Sequence, residues 1–281
     1  MPTSFELTSL LRQELYQSDR IFDDVTARLL EANDGPCEAT VRAKAAGVFC
    51  GEMVFPALRE IFGSALSTQC DLADGAPVTA GEIVGRFEGN GALCLQVERT
   101  ALNLLSHLSG IATLTRRFVD QTAGTRTKIL ATRKTLPGLR DLQLRAVVAG
   151  GGHIHRRNLS DGILIKDNHL ARLRPAEAIT LARANRSPLH RVEIEIQSLG
   201  ELRQILGDLP DIVMLDNFDL PTMAEAIRLI DGQCEIEVSG GIGLDLVKPI
   251  CQLGVDYISV GRLTHSAPAL DLTLDLRWQE R

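Results

Sequence analysis

Aromatic residues are scarce in this chain. Phenylalanine, tyrosine and tryptophan make up 4% of its 281 residues, too few for the stacked-base surface of a general single-strand nucleic-acid binder. Net positive charge is lacking as well. Thirty Lys and Arg stand against 36 Asp and Glu, a formal charge of -6, which disfavours a general polyanion binder. Any anion site must therefore be a local pocket of cations. The six cysteines, Cys37, Cys50, Cys70, Cys94, Cys234 and Cys251, form no C-x-x-C pair, so no zinc site is expected. No apolar run approaches the ~18 residues of a membrane span. The opening MPTSFELTSLLRQELYQSD carries acidic residues and no long apolar core, so it does not read as a secretory signal. Free thiols without such a signal fit a reducing cytoplasm.

What is present is an ordinary globular balance, 44% apolar and 23% charged, enough to bury a sizeable core. Residues 5–31 read as a helix, with Leu7, Leu10, Leu11 and Leu15 at helical spacing. Glu38–Lys44 alternates like a half-buried strand, and Ile83–Glu88 reads as another. Residues 97–119 form a long helical stretch with Leu102, Leu105 and Leu108 along one side. Beyond residue 125 the grain becomes regular. Apolar, β-branched runs appear at Lys128–Thr132, Gly162–Ile165, Val192–Ile196, Ile212–Leu215, Glu235–Val238 and Tyr257–Val260. The last four start at 192, 212, 235 and 257, steps of 20, 23 and 22 residues, the length of one βα unit. This pattern implies a small N-terminal α+β domain followed by a parallel βα sheet, either closed as a barrel or open and doubly wound. The C-terminal segment is expected to pack back on the N-terminal domain.

Polar or glycine residues follow nearly every run: Arg133-Lys134, Lys166 to His169, Glu195, Asp216-Asn217, Ser239-Gly240-Gly241 and Gly261. Strand ends of a barrel converge on one mouth, where active sites sit. Between Arg133 and Lys166 lie Arg133, Lys134, Arg140, Arg145, Arg156, Arg157 and Lys166 against only Asp141 and Asp161, with His153 and His155 among them. That is a candidate site for carboxylate or phosphate; a solvated basic face is the plainer alternative. Gly150-Gly151-Gly152 suits a close backbone approach or a plain loop. The glycines at 240, 241 and 261 suit phosphate binding by backbone N–H groups, or tight turns alone. Glu195 and Asp216 could hold Mg²⁺ or pair with the cations. Glu193 shares the parity of Glu195 and lies deeper. A Schiff base on Lys134 or Lys166 is a competing chemistry. His107 and His190 read as packing or surface residues.

Taken together, these motifs resemble the quinolinate phosphoribosyltransferase family. The residues that carry the resemblance are Glu98–Asn103, Leu108–Thr113, Thr132–Arg140, Gly150–Gly152, His155-Arg156, Leu164–His169, Val192–Glu195, Met214–Phe218, Ser239–Ile242 and Thr264–Ser266. The chain departs from the family's usual pattern at Ala131, Leu144-Arg145, Ile154 and Arg262. The resemblance implies reaction of quinolinate with phosphoribosyl pyrophosphate, with Mg²⁺, to give nicotinate mononucleotide, pyrophosphate and CO₂ in NAD biosynthesis. It implies an N-terminal α+β sandwich-like domain over residues 1–105, followed by an open α/β (TIM-like) barrel over 106–281, in a homodimer or larger assembly with shared active sites. It makes Arg99 the arginine lent to the partner's site, and Arg133, His155 and Arg156 ligands of the quinolinate carboxylates. Lys134 and Lys166 serve both anionic substrates, and Glu195 and Asp216 serve Mg²⁺ and ribose. Ser239, Gly240, Gly241, Gly261 and His265 fall in the 5-phosphate loops. The alternatives are a paralogue acting on another heterocyclic acid and a non-catalytic anion sensor.

Overall fold

A computed structural model of the chain describes residues 4–29 and 35–279. It divides into two compact units. One comprises Met1–Arg116, Pro137–Gly151 and Ser266–Arg281; the other comprises Arg117–Leu136 and Gly152–His265. A boundary between residues 105 and 106 falls inside a single helix, Gly91–Asp120.

The first unit begins with helix α1 (Ser4–Gln13), a π-helical turn (Glu14–Ser18), a 3-10 turn (Ile21–Asp23) and helix α2 (Val25–Leu29). The one helix expected over 5–31 is therefore interrupted, because Arg20 takes a left-handed conformation (φ 51°) that no continuous helix admits. Residues 30–31 lie outside the described residues. Leu7, Leu11 and Leu15 are buried as their spacing predicts. Strands β1 (Pro36–Ala43) and β2 (Gly47–Val48) follow, then helix α3 (Val54–Phe62), strands β3 (Leu66–Cys70), β4 (Pro77–Val78) and β5 (Ile83–Asn90), and helix α4 (Gly91–Asp120). The C-terminal strand Leu272–Trp278, invisible to the periodicity reading, lies antiparallel to β1 and completes a sheet in the order C-terminal strand, β1, β5, β3. Cys37, Ala39, Val41 and Ala43 of β1 are buried on alternate positions.

Glycine is required at one point of this sheet. A Cβ on Gly85 of β5 would stand 2.4 Å from the Phe55 ring and 2.6 Å from the Gln69 carbonyl oxygen. Helix α5 (Arg140–Ala149) also belongs to this unit. A Cβ on Gly150 at its end would meet Ala112 O of α4 at 2.5 Å. Gly150 thus serves helix packing, and its glycine run is a close approach of two helices rather than of backbone to a ligand.

The second unit is a seven-stranded parallel sheet. Its strands are β6 (Lys128–Ala131), β7 (His153–Ile154), β8 (Ile163–Ile165), β9 (Val192–Ile196), β10 (Ile212–Asp216), β11 (Glu235–Ser239) and β12 (Tyr257–Ser259). The spatial order is β7-β6-β12-β11-β10-β9-β8. The edges β7 and β8 are consecutive in the chain and unpaired with each other, so the sheet is a half-barrel open at that seam. Helices α6 (Asp167–Leu170), α7 (Pro175–Asn185), α8 (Leu199–Ile205), α9 (Leu220–Ile230), α10 (Leu244–Gln252) and α11 (Arg262–His265) fill the connections. Ser198 and Asp219 cap α8 and α9 by accepting from the backbone N–H of Glu201 and Thr222. Val192, Ile194 and Ile196 of β9, Val213 and Leu215 of β10, and Val238 of β11 are completely buried. The opposite parity carries Glu193, Glu195, Asp216, Glu237 and Ser239. The greasy layer of this unit thus lies outside the half-barrel, and its inner face is polar. No helix of the described residues is long and apolar enough to cross a membrane.

The Gly85 contact gives a stability test. Gly85→Ala should cost about 1–3 kcal/mol, because backbone as well as the Phe55 ring must move, and should lower the thermal midpoint by roughly 2–10 °C. Gly207→Ala is the control, since nothing stands within 4 Å of a Cβ there. Equal midpoints for the two variants in a calorimetric scan would refute the close-packing account.

Candidate active site

The C-terminal strand ends of the half-barrel enclose a cavity of about 360 Å³. Every strand contributes to its wall. Thr132, Arg133 and Lys134 come from the end of β6, His155 and Arg156 from the end of β7, and Leu164 and Lys166 from β8. Glu195, Met214 with Asp216, Ser239 and Ser259 come from β9, β10, β11 and β12 in turn. Eight of the expected site residues thus face one space: Arg133, Lys134, His155, Arg156, Lys166, Glu195, Asp216 and Ser239; Gly261 packs behind Lys134, whose Cδ lies 3.0 Å from where a Gly261 Cβ would be.

The cations are held by specific partners. Lys166 Nζ donates to the Glu195 carboxylate from the neighbouring strand. Its backbone N–H donates to His169 Nδ1 at 2.9 Å, so the histidine of the Lys166–His169 segment caps the short α6 turn. Lys166 is thus paired with a carboxylate, in a wall that also carries Arg133 and Arg156. Arg156 donates to the Gly162 carbonyl at 3.3 Å. Burial and the nearby Arg133 charge both push its guanidinium down from the ordinary arginine value, although an arginine remains charged throughout. The Lys134 carbonyl accepts from Thr264 Oγ1 at 2.7 Å, which ties the loop after β6 to α11.

The carboxylates sit beside one another. Burial raises Asp216 above the usual carboxylate range, the adjacent Glu195 charge raises it further, and Lys166 and Lys134 oppose both. Asn217, in a left-handed conformation (φ 59°), donates its side-chain amide to Asp216 at 2.8 Å and its N–H to the Ser239 carbonyl at 3.0 Å. Gly240 (φ +95°) is packed on that residue, since a Cβ there would lie 2.3 Å from Asn217 Oδ1 and 2.6 Å from its N. Gly241 (φ +60°) has open space beside it. A Gly261 Cβ would lie 3.3 Å from His265 Nε2.

Deeper in the half-barrel, His155 Nε2 lies 2.8 Å from Glu193 Oε2 and 3.3 Å from Glu237 Oε2. Burial alone would push the ring's pKa down, but the bonds and charges of the two glutamates hold it up at about 10. Glu193 itself is raised, by burial first and by Glu237 second.

The basic run expected between 133 and 166 does not form one cluster. Arg140 and Arg145 lie on α5 of the first unit. Arg145 Nε donates to Asp74 at 2.6 Å, and Asp74 also accepts from the N–H groups of Gly51 and Glu52. His153 is exposed on β7, with burial and Lys128 lowering its pKa. His107 bonds Gln143 at 2.9 Å within the first unit. Arg99 lies on α4, outside the cavity, 70% exposed and 3.6 Å from Glu98.

Ser259 was not singled out from sequence. Its Oγ and Arg133 Nε are buried without a hydrogen-bond partner among the described residues, and such groups in a cavity wall are available to a ligand. Parity was the missing signal: Ser259 stands two residues beyond Tyr257, on the inner face of β12. Glu237 was overlooked for the same reason.

Family models match the chain in two consecutive parts. Residues 24–109 match the quinolinate phosphoribosyl transferase N-terminal domain, and residues 111–275 match its C-terminal domain. A probable carboxylating nicotinate-nucleotide pyrophosphorylase of Methanocaldococcus jannaschii is 40% identical over 91% of this chain and 92% of its own length. The carboxylating nicotinate-nucleotide pyrophosphorylase of Mycobacterium leprae is 37% identical over 95% of each. The crystal structure of the nicotinate-nucleotide pyrophosphorylase from Francisella tularensis superposes with a TM-score of 0.90 at 35% identity, covering 99% of this chain and 98% of that one. Two domain models matched in order, relatives aligned end to end and a shared fold together place the chain in one family: it belongs to the quinolinate phosphoribosyltransferases.

Proposed function

We propose that the chain transfers the phosphoribosyl group of phosphoribosyl pyrophosphate to quinolinate and releases CO₂, yielding nicotinate mononucleotide and pyrophosphate for NAD biosynthesis. The observation that carries this reading is the cavity's composition. Five cations, Arg133, Lys134, His155, Arg156 and Lys166, share about 360 Å³ with Glu195 and Asp216. Quinolinate brings two adjacent carboxylates and the donor brings more negative charge, so both anions need such a pocket to meet. The neighbouring Glu195 and Asp216 carboxylates, which fit a divalent cation, favour transfer over a sensor for anions alone.

In this reading Arg133, Arg156 and His155 bind the quinolinate carboxylates, and Lys134 and Lys166 serve both substrates. Ser239, Gly240, Gly241, Gly261 and His265 receive the 5-phosphate, with Gly241 presenting free backbone. The pyridine nitrogen forms a bond to C1′ of ribose as the bond from C1′ to pyrophosphate breaks. The leaving pyrophosphate takes that electron pair. Glu195 stabilises the positive charge that develops on the ribose. Cleavage of the C2–carboxylate bond then leaves its electrons on C2, beside the new pyridinium nitrogen, and C2 takes up a proton. Glu195 and Asp216 fit a Mg²⁺ site, since they are neighbouring oxygen donors and the Glu195 charge raises Asp216, which a divalent cation would relieve. Mg²⁺ held there would neutralise the departing pyrophosphate. Arg99 is assigned to the partner's site in a homodimer or larger assembly.

Incubation with quinolinate, phosphoribosyl pyrophosphate and Mg²⁺ should yield nicotinate mononucleotide on chromatography, and nicotinate should be a poor substrate. Arg133→Ala or Arg156→Ala should raise the KM for quinolinate about 10- to 100-fold, the cost of one charge-assisted contact, with far less effect on the donor. Turnover of nicotinate as fast as quinolinate would reject the substrate.

Asp216→Asn should lower activity and raise the Mg²⁺ concentration at half-maximal rate. An unchanged Mg²⁺ dependence would make Asp216 a structural partner of the lysines.

Arg99→Ala and Lys134→Ala homodimers should each be nearly inactive. In a heterodimer one site carries both defects and the other carries neither, because a two-fold dimer exchanges the arginine reciprocally. Activity should return toward half the wild-type value per heterodimer. Confirmed heterodimers as inactive as their parents would show that Arg99 does not act across the interface.

A further inference from the structure

Below the mouth, the half-barrel holds charges that the reaction above leaves without a task. Glu193 of β9 and Glu237 of β11 point into the barrel, below Glu195 and Ser239 on the same strands. Glu237 is completely buried and Glu193 is 4% exposed. Both converge on His155 Nε2, at 3.3 and 2.8 Å. Among the described residues, Glu193 Oε1 and both Glu237 oxygens have no hydrogen-bond partner. The His155 ring borders two spaces, the cavity at the mouth and a lower one of about 340 Å³ walled by Leu130, Ile212 and Tyr257.

This arrangement is expensive as mere structure. Removing two carboxylates from water is costly, and one imidazole cannot neutralise both. The surplus negative charge does have one definite effect on the ring. An imidazole has two polar atoms, and Nε2 is engaged by Glu193. Only Nδ1 remains for a ligand, and Nδ1 can donate to a carboxylate only if the ring carries both protons. A neutral ring anchored through Nε2–H would instead present a lone pair to the substrate's carboxylate and repel it.

We propose that Glu193 and Glu237 are positioning residues that anchor His155 through Nε2 and hold it as an imidazolium, committing Nδ1–H to a substrate carboxylate. The proposal rests on the assignment of His155 to quinolinate. The ring's elevated pKa of about 10 agrees with it. Of the other charged groups around the two spaces the ring borders, Arg133, Lys134, Arg156, Lys166 and Arg191 oppose a positive ring and Asp161, Glu195 and Asp216 favour one, but Glu193 and Glu237 are the two in direct contact with it among the described residues. The glutamates are therefore what keeps it charged. His155, Glu193 and Glu237 also have the make-up of a divalent-metal set, with ligand atoms within 4.8 Å of one another. A direct Nε2–carboxylate contact of 2.8 Å is the length of a bond filled by a proton.

The test uses the full-length protein, its Glu237→Gln variant and the Glu193→Gln/Glu237→Gln double variant. In substrate-free wild type at pH 8, ¹⁵N spectra of His155 should show both ring nitrogens protonated. In the double variant the ring should be neutral at that pH, and in Glu237→Gln its midpoint should fall between the two. The KM for quinolinate should rise about tenfold or more in the double variant, with the KM for phosphoribosyl pyrophosphate little changed. The thermal midpoint of Glu237→Gln should equal or exceed that of wild type, since a buried charge has been removed. A ring still doubly protonated in the double variant, or an unchanged quinolinate KM beside a neutral ring, would overturn the proposal. So would one equivalent of Zn²⁺ or Mn²⁺ in the purified wild type that is lost in Glu237→Gln. If wild type formed no nicotinate mononucleotide, the substrate assignment would fail, and the ring spectra would still decide whether the glutamates anchor the imidazolium.

Discussion

A pocket that gathers Arg133, Lys134, His155, Arg156 and Lys166 must keep them together before any anion arrives. At an effective dielectric near 20, two like charges 4 Å apart repel by about 4 kcal/mol. The half-barrel meets this by turning carboxylates of β9 and β10 inward among them. Glu195 binds Lys166, Glu193 binds His155, and Asp216 lies within the field of Lys134 and Lys166. Burial, and after it the Arg133 charge, still press the Arg156 guanidinium downward. The acids are thus part of the anion site. They hold its cations in place without filling the space an anion would take.

Strand parity enforces this arrangement. Glu193 and Glu195 alternate with Val192, Ile194 and Ile196, and Glu237 and Ser239 alternate with Ile236 and Val238. One side of each strand is aliphatic and is buried by packing, while the other is charged and is buried by pairing. The same alternation that makes a stable strand therefore delivers one functional group per strand to the mouth, at heights set by register: Met214 stands beside both Glu195 and Glu237, and Asp216 beside Ser239.

Much of this was legible in the sequence. The βα period gave β9–β12 nearly to the residue, because each strand is a continuous apolar run bounded by polar ends. The cations and carboxylates of the mouth were legible for the same reason, as they terminate those runs. What escaped was non-local. The C-terminal segment was expected against the N-terminal domain, but its being a strand was not: Leu272–Trp278 pairs because β1 offers it an edge, Val41 against Leu274 at a separation of 233 residues, and no window of sequence contains that pairing. The charge run from 133 to 166 was misread as one cluster because α5 carries Arg140 and Arg145 into the first unit, where Asp74 takes Arg145. The triple glycine left a close backbone approach and a plain loop open, and the packing that decides Gly150 is non-local: Ala112 O leaves no room for a Cβ. Ser259 and Glu237 were hidden by their neighbours: each sits inside an apolar strand, and only its inner-face parity separates it from a packing residue.

The seam between β7 and β8 has its own logic. A closed barrel would fill its interior with interlocking side chains in layers. Here the first and last strands of the sheet are adjacent in the chain, and the loop joining them carries Arg156 and Asp161 past the gap. With no strand there, the lower cavity reaches up to His155, and a layer that packing would fill with Leu and Val is occupied by Glu193, Glu237 and the imidazole. Buried charge of this kind is poor at stabilising a fold and good at fixing an orientation. An open half-barrel can therefore hold a charged ring rigidly from beneath while leaving its upper face clear, which a fully packed barrel core has no room to do.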